Sequence, residues 1–152
     1  MFPRDAPPSV PTMDALQLIE KTTNTWNNRD RDGYLACYAH DCEITTPGFE
    51  GKGHQAVNDF WDAYMTAFPD NRIVLTTTVG GQGPHAVEEG RLEGTHTGPL
   101  IGEGGSALPA TGNHVSGPFV GVHTERNGLL TSSRFYFDQL DLLTQLDALP
   151  GG

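Results

Sequence analysis

Apolar positions recur in two different periods along the chain. Met13, Leu16, Ile19, Thr23 and Trp26 are three or four residues apart, which puts them on one face of a first helix beginning after Thr12. The polar run 27–32 ends or kinks that helix. Gly33 to His40, with Tyr34, Leu35 and Tyr38, predicts a short second helix. Cys42 to Thr46 has strand character and stops at Pro47-Gly48. A third helix is predicted from His54 to Phe68, with a stripe of Val57, Phe60, Trp61, Tyr64, Met65 and Phe68. Pro69 closes it, because proline lacks the N–H that a further turn would need.

Beyond Asp70 the period changes to two. Ile73 to Val79 is a β-branched run, and His85 to Thr97 returns antiparallel across a glycine-rich turn. Gly98 to Gly112 predicts a loop. Val115 to Arg126 and Leu129 to Asp138 flank Asn127-Gly128, a pair that suits a two-residue hairpin in which both turn positions take positive φ. Gln139 to Leu146 predicts a last short helix. Helices first and sheet afterwards imply an α+β fold, with helices packed on one face of a curved antiparallel sheet.

The hairpin allows faces to be assigned. With Arg126 opposite Leu129, His123 falls opposite Ser132, Gly121 opposite Arg134, Phe119 opposite Tyr136, and Gly117 opposite Asp138. Alternation then puts Val120, Val122, Phe135 and Phe137 on the other face. The first face is either a pocket wall or a solvated surface.

Two residues on that pattern could carry chemistry. Asp138 follows a strand and precedes a helix; it is either the helix N-cap or, if desolvated among aromatic rings, a general acid or base. His96 stands between Gly94 and Gly98 at a strand end, where it either bonds loop backbone or donates to a developing oxyanion. The helical aromatics Trp26, Tyr34, Tyr38, Phe60, Trp61, Tyr64 and Phe68 can fill a core or line a cavity. No nucleotide-binding glycine motif, nucleophile elbow or metal-ligand spacing such as HExxH is present.

Composition narrows the options. The chain has 152 residues, enough for one domain: an extended arm over 1–12, a domain over 13–147 and a tail over 148–152. Nine Lys and Arg against 19 Asp and Glu give a formal charge of −10, which repels nucleic acid and anionic membranes. No apolar run reaches the length of a membrane helix, and the proline-rich start is no secretory signal. Two cysteines, Cys37 and Cys42, are too few for a disulfide framework and read as buried thiols in a reducing cytoplasm.

Several segments carry a resemblance when taken in order. They are Trp26-Asn27-Asn28-Arg29-Asp30, Pro47-Gly48 through Gly53, Phe68-Pro69-Asp70, Glu93 through Leu100, Pro109-Ala110-Thr111-Gly112, Asn127-Gly128, and Tyr136-Phe137-Asp138-Gln139-Leu140. Together they resemble the SnoaL-like polyketide cyclases of the NTF2-like superfamily, over residues 13–147. The resemblance implies a cone in which a bent sheet wrapped by helices holds a deep pocket. It also implies a cytoplasmic homodimer or higher oligomer formed through the convex sheet face. The implied reaction is a cofactor-free and metal-free aldol ring closure of a hydrophobic polyketide-like secondary metabolite, as in antibiotic biosynthesis. Asp138 would be its acid/base, with His96 beside it. Trp26, Tyr38, Phe60, Tyr64, Phe119, His123, Arg134 and Tyr136 would contact substrate. The alternatives are epoxide opening or dehydration, the former by a set of Asp138, Arg91 or Arg134, and Asp70, and a non-catalytic binding dimer.

Overall fold

The computed structural model describes residues 12–80, 82–102 and 105–149. The expected arm, but for Thr12, and most of the expected tail lie outside them. The elements run α1 (Ala15–Asn27), α2 (Arg31–Leu35), β1 (Tyr38–Thr46), β2 (Phe49–Lys52), α3 (Gly53–Ala67), β3 (Arg72–Val79) and β4 (His85–Thr95). They continue with β5 (Leu100–Ile101), β6 (Ala107–Leu108), β7 (His114–Arg126), β8 (Leu129–Phe137) and α4 (Gln139–Gln145). One six-stranded sheet has the order β2-β1-β8-β7-β4-β3, and β5 with β6 forms a separate two-stranded ribbon. All pairings in the large sheet are antiparallel except β1–β8, which is parallel.

Helix α1 starts at a capping box. Asp14 accepts from the Gln17 N–H at 2.8 Å, and the Gln17 side chain accepts from the Asp14 N–H at 2.9 Å. Its buried face is Ala15, Leu18, Ile19, Thr22, Thr25 and Trp26, slightly rotated from the face the spacing predicts. The second helix is shorter than expected. Asp30 caps it, and the chain leaves it before Tyr38, which opens β1. Tyr38 is strand because it pairs with Leu130 of β8, an interaction that local propensity does not report.

The end of α1 and the residues just after it fasten the helix to the connection beyond α3. Trp26 Nε1 donates to Asn71 Oδ1 at 2.6 Å, and the Asn27 side chain holds both backbone groups of Ile73, at 2.8 and 2.9 Å. Arg29 donates to the Pro69 and Asn71 carbonyls at 2.8 and 2.6 Å. This is what the polar run after Trp26 does: it satisfies the backbone of the α3–β3 connection.

Asp70, in the same connection, accepts from the Thr95 N–H at 2.7 Å and the Thr95 hydroxyl at 2.8 Å. The Thr95 backbone hydrogen bond, followed by the hydroxyl, holds the Asp70 carboxyl below the usual carboxylate range. A carboxylate with a lowered native pKa stabilises the fold above its unfolded pKa and loses that contribution as pH falls through the native one. Asp70→Asn is therefore expected to lower the melting temperature at neutral pH and to flatten the acid limb of a plot of melting temperature against pH, with the two proteins converging at low pH. An unaltered acid limb would count against it.

The Asn127-Gly128 turn forms as expected, with φ of 56° and 80°. The register beyond it does not. Arg126 pairs with Leu129 and Glu125 with Leu130, but Thr124 then pairs with Ser132, leaving Thr131 as an extra residue on β8. That bulge shifts every later pair by one, so His123 meets Ser133, Gly121 meets Phe135 and Phe119 meets Phe137. A one-residue slip exchanges the faces of β8. Phe135 and Phe137 turn inward, and Arg134 and Tyr136 turn out, Tyr136 being 53% exposed. Phe135 and Phe137 accordingly do not belong to the convex face, where Val120 and Val122 remain. No helix among the described residues is long and apolar enough to cross a membrane.

Candidate active site

The inward faces of β4, β7 and β8 and the helices α1 to α4 enclose a cavity. Its volume is about 110 Å³, or about 960 Å³ with its open mouth counted. Trp26, Tyr34, Phe60, Tyr64, Phe68, Phe119, Phe135 and Phe137 form aromatic walls. Phe60 stacks on Phe135 with an interplanar angle of 6°, and Trp26 packs against Tyr34 and Phe60. A second hollow, outside Phe60, Tyr64, Phe137 and Leu142, is wider but lies against the β5–β6 ribbon and holds no buried charge.

One carboxylate of the first cavity is buried. Glu88 alternates inward on β4, paired with Gly121 of β7, and is 3% exposed. Its Oε2 lies 3.3 Å from Nε2 of His123, which is 1% exposed. The pair is at ion-pair distance but not aligned as a hydrogen bond, and neither atom has another partner among the described residues. Two buried polar atoms left in this way are unusual in a native interior. Gly121 makes the pair possible: a Cβ there would sit 2.8 Å from His123 Nε2 and 3.0 Å from Glu88 Oε1. Phe135 covers the imidazole edge-on at 5.4 Å, so Glu88 faces the cavity and His123 stands behind it.

Behind the imidazole runs a line of hydroxyls. His123 Nδ1 is 2.7 Å from Ser133 Oγ, Ser133 donates to the Tyr38 hydroxyl at 3.2 Å, and the Tyr38 and Tyr34 hydroxyls are 3.4 Å apart. All four residues are buried. Tyr38 thus supports the site from behind and does not line it.

Asp138 is where its sequence position suggested, with its cap role realised. It is exposed, its Oδ1 accepts from the Asp141 N–H at 2.9 Å, and it lines the mouth of the cavity. The desolvated setting expected of an acid/base is not there, because α4 starts at the rim and leaves the carboxylate open to water. Gln145 fixes α4 to the sheet, accepting from the Ser116 N–H and donating to its carbonyl at 2.9 and 3.0 Å.

His96 is fully buried but does not line the cavity. Its Nδ1 accepts from the Thr111 N–H at 3.1 Å and lies 2.9 Å from the Thr111 hydroxyl, with the ring against Phe68. Burial lowers its pKa from the ordinary value, so it is held neutral. It fastens the 111–113 loop, and the structure does not bring it together with Asp138.

Of the expected substrate contacts, Trp26, Phe60, Tyr64 and Phe119 line the cavity. Arg134 and Tyr136 point outward through the bulge, and His123 lies one layer back. The epoxide-opening set does not assemble. Asp70 is engaged by Thr95, while the exposed Arg91 donates to Ser116 at 3.1 Å. Glu88, Phe135 and Phe137 escaped the sequence reading as cavity residues. The available signal for Glu88 was its place in phase with Gly90 and Leu92 on an otherwise apolar strand face.

The comparisons agree with this architecture. The model of the SnoaL-like domain matches residues 19–133. No curated protein matches the chain. Among solved structures, the chain is similar to a putative SnoaL-like polyketide cyclase from Jannaschia sp. CCS1, at 20% identity and a TM-score of 0.78, covering 97% of this chain and 100% of that one. IdmH, a putative polyketide cyclase from Streptomyces antibioticus, superposes with a TM-score of 0.70 at 20% identity, covering 87% and 97%. AclR from Streptomyces galilaeus, a putative hydroxylase, reaches 0.73 at 20% identity, covering 88% and 84%. At such identities the likeness establishes the fold, an NTF2-like cone, and the names cyclase and hydroxylase belong to different chemistries.

Proposed function

The chain belongs to the SnoaL-like domain family, and from that premise we propose that it is an acid/base enzyme closing a ring in a polyketide-like or related aromatic metabolite by an intramolecular aldol step. The observation that carries this reading is Glu88, a carboxylate 3% exposed, facing an aromatic cavity with His123 as its one ion-pair partner among the described residues. In the proposed step, Glu88 takes a proton from a carbon already acidified by neighbouring carbonyls. The electron pair of that C–H bond becomes the enolate, which forms the new C–C bond by attacking a second carbonyl of the same molecule. The alkoxide so formed takes up a proton. A conjugated carbon acid needs mainly positioning, which walls such as Trp26, Phe60 and Phe119 suit. The inner cavity has room for one or two fused rings, and the rest of a larger substrate would occupy the mouth.

Asp138 takes a different part here from the one the resemblance implies. With Oδ1 held by α4, its remaining oxygen at the mouth orients the polar end of the substrate. Asp138→Asn keeps a good helix cap and is expected to lower kcat/KM by no more than about tenfold. The test is enolisation of β-tetralone, an aromatic ketone with an acidic α-carbon, followed as α-proton exchange in D2O by NMR for wild type, Asp138→Asn and Glu88→Gln. A loss of more than about 100-fold in Asp138→Asn, with Glu88→Gln near wild type, would move the chemistry to the mouth. Absence of exchange in wild type above the Glu88→Gln level would leave a binding module.

A further inference from the structure

We propose that Tyr34 is a second catalytic residue of this cavity, joined through the hydrogen-bonded line of Tyr38, Ser133 and His123 to an imidazole at ion-pair distance from Glu88, so that a path for protons begins and ends at the substrate. The proposal rests on the reading of Glu88 given above. Its basis is a closed pattern of contacts. Glu88 and Tyr34 both line the cavity, whereas His123, Ser133 and Tyr38 do not. Among the described residues, the three hydroxyls bond to one another and to His123, at 2.7, 3.2 and 3.4 Å. Ser133 stands at an inward position of β8, Tyr38 at the start of β1 and Tyr34 in α2, so three elements converge to build one line. A core that needed only volume would place apolar residues there, since buried hydroxyls are costly unless paired.

The contacts allow a one-way line of donation, the Tyr38–Tyr34 pair admitting either hydroxyl as donor. Ser133 donates to Tyr38, so its oxygen is free to accept from His123 Nδ1–H. In that tautomer Nε2 carries no proton and can take the one that Glu88 receives from the substrate. Burial first, with the negative charge of Glu88 adding to it, pushes the pKa of both phenols above the ordinary value. They therefore stay protonated and pass protons only in concert.

The proton balance closes. The substrate C–H bond breaks and its proton goes to the Glu88 carboxylate, then to His123 Nε2. His123 Nδ1–H passes to Ser133, the Ser133 proton to Tyr38, and the Tyr38 proton to Tyr34. The Tyr34 O–H proton forms the new O–H bond on the alkoxide. One proton enters and one leaves, as an aldol isomerisation requires, and His123 ends in its other tautomer, which solvent exchange at the cavity reverses.

The experiment measures washout of tritium from α-tritiated β-tetralone, where the enolate oxygen takes the Tyr34 proton in place of the alkoxide, by wild type, Tyr34→Phe, Tyr38→Phe, Ser133→Ala and Glu88→Gln. Tyr34→Phe is expected to lose about 100-fold in kcat, and Tyr38→Phe and Ser133→Ala about tenfold, with KM within about threefold of wild type. Rates in H2O–D2O mixtures are expected to be bowed for wild type, where several protons move, and linear for Ser133→Ala. A packing role alone would leave that curvature intact. If Tyr34→Phe does not fold, Ser133→Ala decides. Near-wild-type kcat with retained curvature in Ser133→Ala or Tyr34→Phe, while Glu88→Gln is inactive, overturns the circuit and leaves the Glu88 reading standing. Wild-type washout no faster than Glu88→Gln overturns both.

Discussion

Glu88→Gln is expected to lower kcat for β-tetralone exchange by at least about 100-fold, because glutamine keeps the shape of the side chain but cannot take a proton. The competing explanation is that Glu88 only neutralises His123. The two differ in what accompanies the loss. A structural counter-ion would show itself in stability, since removing one member of a buried pair and leaving the other charged costs about 3–5 kcal/mol. The amide introduced by Glu88→Gln could donate to the bare Nε2 of a neutral His123, so a proton-transfer residue should lose its rate with little change in melting temperature. Turnover within tenfold of wild type, together with a large fall in melting temperature, would refute the catalytic assignment. Gly121→Ala would give independent evidence on the pair, because a Cβ there would press on both members.

Gly98→Ala is expected to be among the most destabilising single-methyl additions to this fold, at about 3 kcal/mol, or roughly 10 °C in melting temperature for a chain of this size. A Cβ at Gly98 would stand 1.9 Å from the carbonyl oxygen of Thr66. The crowding partner is backbone, so no side-chain rotation relieves it. That backbone is the last turn of α3, whose Ala67 carbonyl accepts from the N–H groups of Thr97 and Gly98 at 3.1 and 3.2 Å. The close approach seats the end of β4 under α3 and keeps Phe68 against His96. Thermal unfolding of the purified variant measures the effect directly. A shift of less than about 2 °C would mean that the two segments separate easily.

Much of this protein is legible in its sequence, and the parts that are share a cause. Helix α1 follows from local periodicity and its capping box, helix α3 from periodicity, and the Asn127-Gly128 hairpin from the φ values its turn demands. The capping role of Asp138 and the loop bonds of His96 also match readings made from their immediate surroundings. Trp26, Phe60, Tyr64 and Phe119 lie at cavity positions that their spacing had allowed.

What depended on distant pairing was not legible. Tyr38 opens a strand where a helix was expected, because Leu130 of β8 lies alongside it in parallel. The extra residue at Thr131 reversed the faces of β8, bringing Phe135 and Phe137 in and sending Arg134 and Tyr136 out. Local spacing thus determined the elements, the turn and the aromatic character of the interior. Only the tertiary structure decided that Glu88 of β4, His123 of β7, Ser133 of β8 and Tyr38 of β1 would meet, because strand register sums contributions along two whole strands, and a single bulge changes its parity.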